Sequence, residues 1–396
     1  MTKSLFSLAI GGFAIGLTEF VIMGMLPDVA SDLSISITQA GNLISMYALG
    51  VVVGAPILAG ATSRFRPNLV IIAMMLAFSL ANFLSVISPN FELLLLSRFF
   101  SGLPHGAFFG VGAVVASRLA SEGKQASAVA VMFSGLTIAN VIGVPLGTYI
   151  GHHFSWRITF GIVALIGLIC AIAVKYWVPS LEGIKSASFK KDLKILKKPE
   201  LLLIVAITSI GTGGLFALLS YIAPLAINVS KLPEVWMPYL MIIAGLGMTA
   251  GNLLGGKVAD RIAPSFAILI FLSSLVVVLL AIYLSAENIY ALGFLVFTAT
   301  AAALALASPL QMLLIKNSKE AEMLGSSLGQ SSFNIGNALG AFLGGLPLAM
   351  GYGFRSSLLV GMALAGSGVL MSLVYIYSFK RSVSSANKEV MIECGS

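Results

Sequence analysis

Charge is what this chain has least of: Asp, Glu, Lys and Arg make up 10% of its 396 residues, against about a quarter in a soluble domain. With 58% hydrophobic residues and a mean hydropathy of +1.01, a water-soluble globular fold is excluded and lipid must be the solvent. Cysteine is nearly missing. Cys170 falls in an apolar stretch and Cys394 in the C-terminal tail, which leaves neither a disulfide framework nor a thiolate metal site. Three His occur, two of them adjacent (His152 and His153), and no acidic cluster interrupts the apolar stretches. A membrane enzyme needs a converging nucleophile, base or metal set, so this scarcity argues against catalysis, and no metal or cofactor is expected. No stretch is long enough for an added soluble domain, which weighs against a non-transporting sensor. No filter-like loop or charged ring supports a channel.

What the chain has in abundance is apolar runs of membrane-crossing length, about 20 residues for a hydrocarbon core of roughly 30 Å. They fall near 5–27, 40–61, 68–88, 91–117, 127–149, 157–178, 200–226, 234–256, 265–285, 288–315, 325–350 and 355–379. The expected fold is therefore an all-α integral membrane protein of twelve transmembrane helices in two six-helix bundles. The first run is too long for a signal-peptide core and no small-residue cleavage site follows it, so it reads as a retained helix. The first bundle occupies 1–178, a basic linker 179–199 and the second bundle 200–380, leaving 381–396 as a polar, disordered tail. In the linker, Lys185, Lys190, Lys191, Lys194, Lys197 and Lys198 alternate with Phe189, Leu193, Ile195 and Leu196. That pattern suits either a helix lying on an anionic leaflet or a solvated tether.

A formal charge of +8 invites a nucleic-acid reading, and its placement decides against one. Of 23 Lys and Arg, 19 lie at the ends of even-to-odd connections or at the termini. Three (Arg157, Lys231, Arg355) lie on the opposite side and Arg98 is inside a span. By the positive-inside rule both termini face the cytoplasm, which places the protein in a cytoplasmic (inner) membrane as a multi-pass protein. The expected partners are a small-molecule substrate, protons and the lipid bilayer.

A repeat organises these spans. Gly50 and Gly247, Gly54 and Gly251, Arg64 and Arg261, Pro67 and Pro264, Asn140 and Asn337, Gly143 and Gly340, and Gly147 and Gly344 are all 197 positions apart. The two bundles are thus pseudo-symmetric copies of one unit, an arrangement in which two halves can rock about a site between them. Glycines recur every fourth residue at Gly102, Gly106 and Gly110, at Gly143, Gly147 and Gly151, at Gly247, Gly251 and Gly255, and at Gly336, Gly340 and Gly344. Such ladders let helix backbones approach closely. They predict tight packing and, on spans 2, 5, 8 and 11, smooth surfaces across which the halves could slide.

Several stretches resemble the major facilitator superfamily, and more narrowly its twelve-span drug–proton antiporters of the arabinose-efflux-permease type. Gly256-Lys257-Val258-Ala259-Asp260-Arg261 is similar to the superfamily's Gly-x-Leu-x-Asp-Arg loop after a second span. The counterpart at Ala59–Pro67 keeps Arg64 and Arg66 but has Ala59 and Ser63 in the Gly and Asp places, which weakens any first-half latch there. Arg98-Phe-Phe-Ser-Gly102 resembles an intramembrane Arg-x-x-x-Gly motif tied to proton transfer, and Gly143-Val-Pro145-Leu-Gly147 the Gly-x-Pro-x-Gly core associated with antiport. Ser101-Gly-Leu-Pro-His105-Gly-Ala-Phe-Phe109-Gly-Val-Gly-Ala113 is the most subfamily-like stretch. The resemblance implies a transporter, typically a monomer, with efflux rather than uptake.

Ionisable groups deep in a membrane are costly and mark function. Glu19 lies about 14 residues into span 1, roughly 21 Å deep, and Arg98 about seven residues into span 4 from the other side, roughly 10 Å down. In a core of roughly 30 Å these depths coincide, so the two are expected to approach directly, through water or through substrate. Desolvation favours a neutral acid and a guanidinium favours a carboxylate. A change in their separation would therefore switch Glu19 between proton-loaded and proton-free, the property an antiporter needs. A fixed structural ion pair is the alternative. His105, two turns beyond Arg98 on nearly the same face, is a candidate proton relay or an interhelical hydrogen-bonding group. Asp28 and Asp32 sit at the outer mouth, solvated. The second half carries no buried charge. Its Ser220, Tyr221, Gln311, Gln330 and Asn334, with Asn42 and Tyr47 opposite and the rings of Phe108, Phe109 and Phe216, suit a sugar, nucleoside or moderately polar drug. Asn140 and Asn337, beside the ladders, read as packing. Symport or facilitated uptake is the alternative mode.

Overall fold

The computed structural model describes residues 2–62, 65–121, 125–181, 197–318 and 322–393, but not the side chains of 2, 56, 59, 60, 125–127, 260, 322–327 and 379–393. Arg64, Cys394 and the linker residues Lys185 to Leu196 lie outside the described residues. Twelve long helical segments follow one another: Thr2–Gly24 (span 1), Ile37–Thr62 (span 2), Pro67–Val86 (span 3), Phe91–Leu119 (span 4), Ala128–His153 (span 5), Trp156–Trp177 (span 6), Pro199–Ser220 (span 7), Met237–Arg261 (span 8), Pro264–Ser285 (span 9), Ile289–Asn317 (span 10), Glu322–Ala349 (span 11) and Ser356–Glu393 (span 12). Eleven are long and apolar enough to cross a membrane. Span 11, rich in Gly, Ser and Asn, is 28 residues long, and at 1.5 Å per residue that length suffices as well. Twelve crossings put both ends of the chain on one face, the terminal face; the other is the distal face. Span 12 continues as helix past the boundary at 381, because no Gly or Pro between Tyr375 and Glu393 stops it.

The duplication is visible in backbone detail. In the first bundle span 1 packs on span 5, span 2 on span 4 and span 3 on span 6; in the second, span 7 packs on span 11, span 8 on span 10 and span 9 on span 12. Pro67 and Pro264 each sit in the first turn of their helix, where a missing N–H loses nothing. Ser34 (φ 52°) and Lys231 (φ 58°) are the two non-glycine residues with left-handed backbone among the described residues, and they too are 197 apart. Each makes the same turn before the second helix of its bundle.

The glycine ladders bind helices within a bundle. A side-chain carbon at Gly50 or Gly54 would run into the carbonyls of Phe99 and Leu103 on span 4; at Gly247, Gly251 or Gly255 it would meet those of Phe297, Ala301 and Ala305 on span 10. Gly143 and Gly147 face Phe13 and Val21 of span 1, and Gly336 and Gly340 face Thr212 and Phe216 of span 7. The expectation that these ladders form surfaces on which the halves slide is therefore corrected. Gly110 has nothing near it. Across the seam the close approach comes instead from Gly245 against the backbone of Asn140, and from Gly41 against the Tyr221 hydroxyl.

Spans 5 and 10 are interrupted and span 7 ends shortly ahead of a proline; span 7 also breaks at Thr212, between Gly211 and Gly213. Span 5 widens into a π turn at Ala139–Gly143 before Pro145, span 7 stops at Tyr221 before Pro224, and span 10 breaks at Ala305–Leu306 before Pro309. Proline cannot donate to the carbonyl four residues back and its ring displaces that carbonyl. Interrupted helices at membrane depth expose backbone groups where they line a cavity.

Candidate functional site

Arg98 is fully buried on span 4. Its Nη1 donates to Thr18 Oγ1 (2.9 Å) and its Nη2 to the Thr18 carbonyl (3.1 Å), while the Thr18 hydroxyl donates to Asn82 Oδ1 (2.8 Å) on span 3. The guanidinium lies 4.3 Å from the ring centre of Tyr47 and 5.3 Å from that of Phe160, a cation–π arrangement on two sides. One side chain thus ties together spans 1, 2, 3, 4 and 6. The Tyr47 hydroxyl is 3.0 Å from His105 Nδ1, and the His105 ring meets Phe109 edge-on at 5.4 Å.

Glu19 follows Thr18 directly and is 4% exposed. Arg98 reaches the residue just before it, so the two groups lie near one another. Direct pairing does not occur: among the described residues no Glu19–Arg98 ion pair lies within 4.0 Å. Arg98 is turned to the Thr18 hydroxyl and carbonyl instead, so the guanidinium influences the carboxyl through space rather than neutralising it by contact. Across the seam the Glu19 carboxyl has the amide of Asn337 on span 11 within side-chain reach. Phe20, the next residue, stacks on Phe216 of span 7 at 6.5 Å, and Phe216 meets Phe333 of span 11 at 5.1 Å.

The distal entrance is shut. His152 Nδ1 is 2.9 Å from Asp28 in its own bundle and its Nε2 is 3.5 Å from Glu234 of the other; these residues line a cavity of about 250 Å³. Tyr221 donates to the Ala341 carbonyl (2.8 Å) with Gly41 of span 2 against its hydroxyl. Ser45 of span 2 donates to the Ala338 carbonyl of span 11 (3.2 Å). The expectation that Asp28 and Asp32 are simply solvated is corrected: Asp28 pairs with His152, and Asp32 accepts from Arg157 and from Trp156 Nε1 (3.1 Å). The Arg157 guanidinium holds the Asp32 carboxyl below the usual carboxylate range.

With that geometry in view, the sequence profile of the Major Facilitator Superfamily matches residues 8–329. The chain belongs to the Major Facilitator Superfamily. It is 38% identical over 381 residues to the protein AraJ of Escherichia coli, covering 96% of both chains. It is 39% identical over 383 residues to the inner membrane transport protein YdhP of the same species, covering 97% of this chain and 98% of YdhP. A chloramphenicol resistance protein of Streptomyces lividans is 30% identical over 373 residues, covering 92% and 95%. In fold it is similar to the crystal structure of a bacterial homologue of the human lysosomal transporter Spinster (TM-score 0.75, 15% identity, 96% and 98% covered). This is a multi-pass membrane transporter of small molecules, of a family and fold that are not those of enzymes.

The superfamily assignment leaves the remaining site residues to geometry. Phe216 and the buried Ser220, whose hydroxyl has no partner, lie on span 7; Asn334 of span 11 is buried with Oδ1 unpartnered while its Nδ2 donates to the Gln330 carbonyl (3.1 Å). Gln311 lies against Gly329, and Asn42 is half-buried. Phe108 packs behind Gly11 and Cys170 inside the first bundle, and Phe109 stacks on Phe133 at 4.9 Å. Tyr221 bonds within its own bundle and packs against Gly41 of the other at the distal seam. Gly256 and Arg261 are in the last turns of span 8, which runs unbroken through the motif; the Asp260 side chain lies outside the described residues, as does Arg64. Thr18, Phe20, Phe333 and His152 had no signal in their spacing. Thr18 was findable only as the hydroxyl beside the buried acid.

Proposed function

We propose that this transporter exports a small organic solute in exchange for protons, with Glu19 as the proton-carrying group. The observation that carries the reading is a carboxyl buried at the seam of the two bundles, with Arg98 near but committed to Thr18. Such a group is expensive to hold in a membrane, and its charge state depends on which entrance is open. The terminal face is cytoplasmic, as the Lys and Arg distribution indicates, and the membrane is the inner one, as named for YdhP. Solute enters from the cytoplasm while Glu19 is ionised, the distal face opens, solute leaves and Glu19 takes a proton, and the loaded form returns. Arg98 positions span 1 and sets the field at Glu19; His105 acts through Tyr47 on the same field. The substrate contacts are Asn42, Phe216, Ser220, Gln311 and Asn334, with Phe20 and Phe333 completing an aromatic wall. This set of amides, hydroxyls and rings suits a sugar, nucleoside or moderately polar drug, and a relative named for chloramphenicol resistance supports export. Gly143, Pro145 and Gly147 shape span 5 against span 1, and the Gly256–Arg261 turn meets the cytoplasmic surface of the second bundle. The protein acts as a monomer, two bundles (1–178 and 200–380) joined by the linker 179–199.

The test is transport in proteoliposomes with an imposed pH gradient, acid on the distal side. Solute driven against its own gradient toward the acid side is the expected result; movement with the proton gradient, or none, overturns antiport.

A further inference from the structure

We infer that Asn337 is the positioning residue that ties the protonation state of Glu19 to closure of the distal seam. The inference rests on Glu19 as the proton site. Asn337 is fully buried on span 11, in the bundle opposite Glu19, and neither its Oδ1 nor its Nδ2 has a hydrogen-bond partner. A buried amide with both ends unpaired is destabilising and rare in a folded protein. Span 11 is held against the first bundle at the next residue, where Ser45 donates to the Ala338 carbonyl, and the Asn337 side chain lies near the Glu19 carboxyl without a hydrogen bond to it in this structure. Its repeat partner Asn140 has a different setting, in the π turn of span 5 with its backbone against Gly245.

The chemistry of the pair is asymmetric in the proton. A neutral carboxyl and a primary amide exchange two hydrogen bonds, O–H donating to the amide oxygen and N–H donating to the carboxyl carbonyl. A carboxylate accepts from the N–H alone and repels the amide oxygen. Protonating Glu19 therefore lets both ends of the Asn337 amide pair across the bundles, whereas ionising it leaves a charge with a single amide donor that is costly to keep in a closed, dry seam. The other groups facing the carboxyl do not report on the seam in this way: Arg98 and Tyr47 belong to its own bundle, His105 acts through Tyr47, and Phe216 is apolar. Because Asn337 belongs to the second bundle, the extra bond favours the distal-closed state, the direction in which a proton-loaded antiporter must return.

Spin-label distances across the distal face, with labels at positions 89 and 352 in the full chain in nanodiscs, measure the closed fraction against pH. In wild type closure rises as pH falls; Glu19→Gln, whose amide cannot ionise, keeps only the pH response of the His152 contact with Asp28 and Glu234 at the distal mouth, and Glu19→Gln combined with His152→Gln is closed at every pH. Asn337→Leu, of similar volume, loses roughly fivefold to tenfold in the closed-to-open ratio at low pH with little change at high pH, and Asn337→Gln restores part of the response. Closure of Asn337→Leu that follows the wild-type pH curve overturns the inference while leaving Glu19 as the proton site. A pH response that survives in Glu19→Gln with His152→Gln also in place overturns both. Should Asn337→Leu fail to fold, Asn337→Ala makes the same comparison.

Discussion

Gly54 and Gly251 stand 197 residues apart and meet the same neighbour, a backbone carbonyl of the helix two spans further on. Glu19 and Phe216 stand the same distance apart and share no chemistry. Between those two pairs lies the difference between the bundles. Both keep the glycines that let span 2 or span 8 approach its partner, the proline that opens span 3 or span 9, and the left-handed turn at Ser34 or Lys231. Among the described residues only the first buries an acid, a guanidinium and an imidazole. A pseudo-symmetric frame can rock, and an ionisable group on one side of its seam gives the rocking a direction.

The comparison is sharpened first by breaking the shared frame. Leu at Gly54 and Leu at Gly251 both force a side chain onto a backbone carbonyl that cannot move aside, and each is expected to cost at least about 3 kcal/mol, read as lost monodisperse protein and lower thermal stability in detergent. Gly110→Leu, in a ladder but with nothing near it, is expected to stay within about 0.5 kcal/mol of wild type. Equal loss at all three would mean that spacing rather than packing matters. Next comes the charge found only in the first bundle. Arg98→Lys keeps the charge but cannot reach both Thr18 oxygens and stack on Tyr47 and Phe160 together; about 2 kcal/mol of stability should go, with no comparable loss for Leu295→Met, the partly buried position 197 residues on in span 10. The smallest effect belongs to the distal rim. Asp32 is held ionised by Arg157, so this pair stabilises the fold above the ordinary carboxylate range and stops doing so as pH falls through the lowered folded value. The pair is partly exposed, and Asp32→Asn should lower stability at neutral pH by under about 1 kcal/mol, a difference that shrinks in strong acid and in high salt.

The frame was legible because its signals are local or periodic: apolar length gave the spans, prolines and glycines at one offset gave the duplication, and counting residues from the ends of spans 1 and 4 brought Glu19 and Arg98 to one depth. What residue counting leaves undetermined is rotation about the helix axis. It places Arg98 level with Glu19 but cannot say that the guanidinium turns to Thr18, and it shows four glycines on one face without saying which helix that face meets. His152 reads as a loop residue until the chain folds Asp28 and Glu234 around it, and Asn337 reads as packing until Glu19 arrives opposite. Phe108 shows the converse, a ring in the subfamily-like stretch that turns inward onto Gly11.

The central claim is that Glu19 gains and loses a proton during the cycle. The direct measurement is an infrared titration of the reconstituted protein, wild type minus Glu19→Gln, with and without a transported solute. A protonated-carboxyl band that disappears in Glu19→Gln, titrates in the pH range of transport and is displaced by solute is the predicted result. A Glu19 carboxylate that stays ionised at every pH at which the protein transports would contradict it.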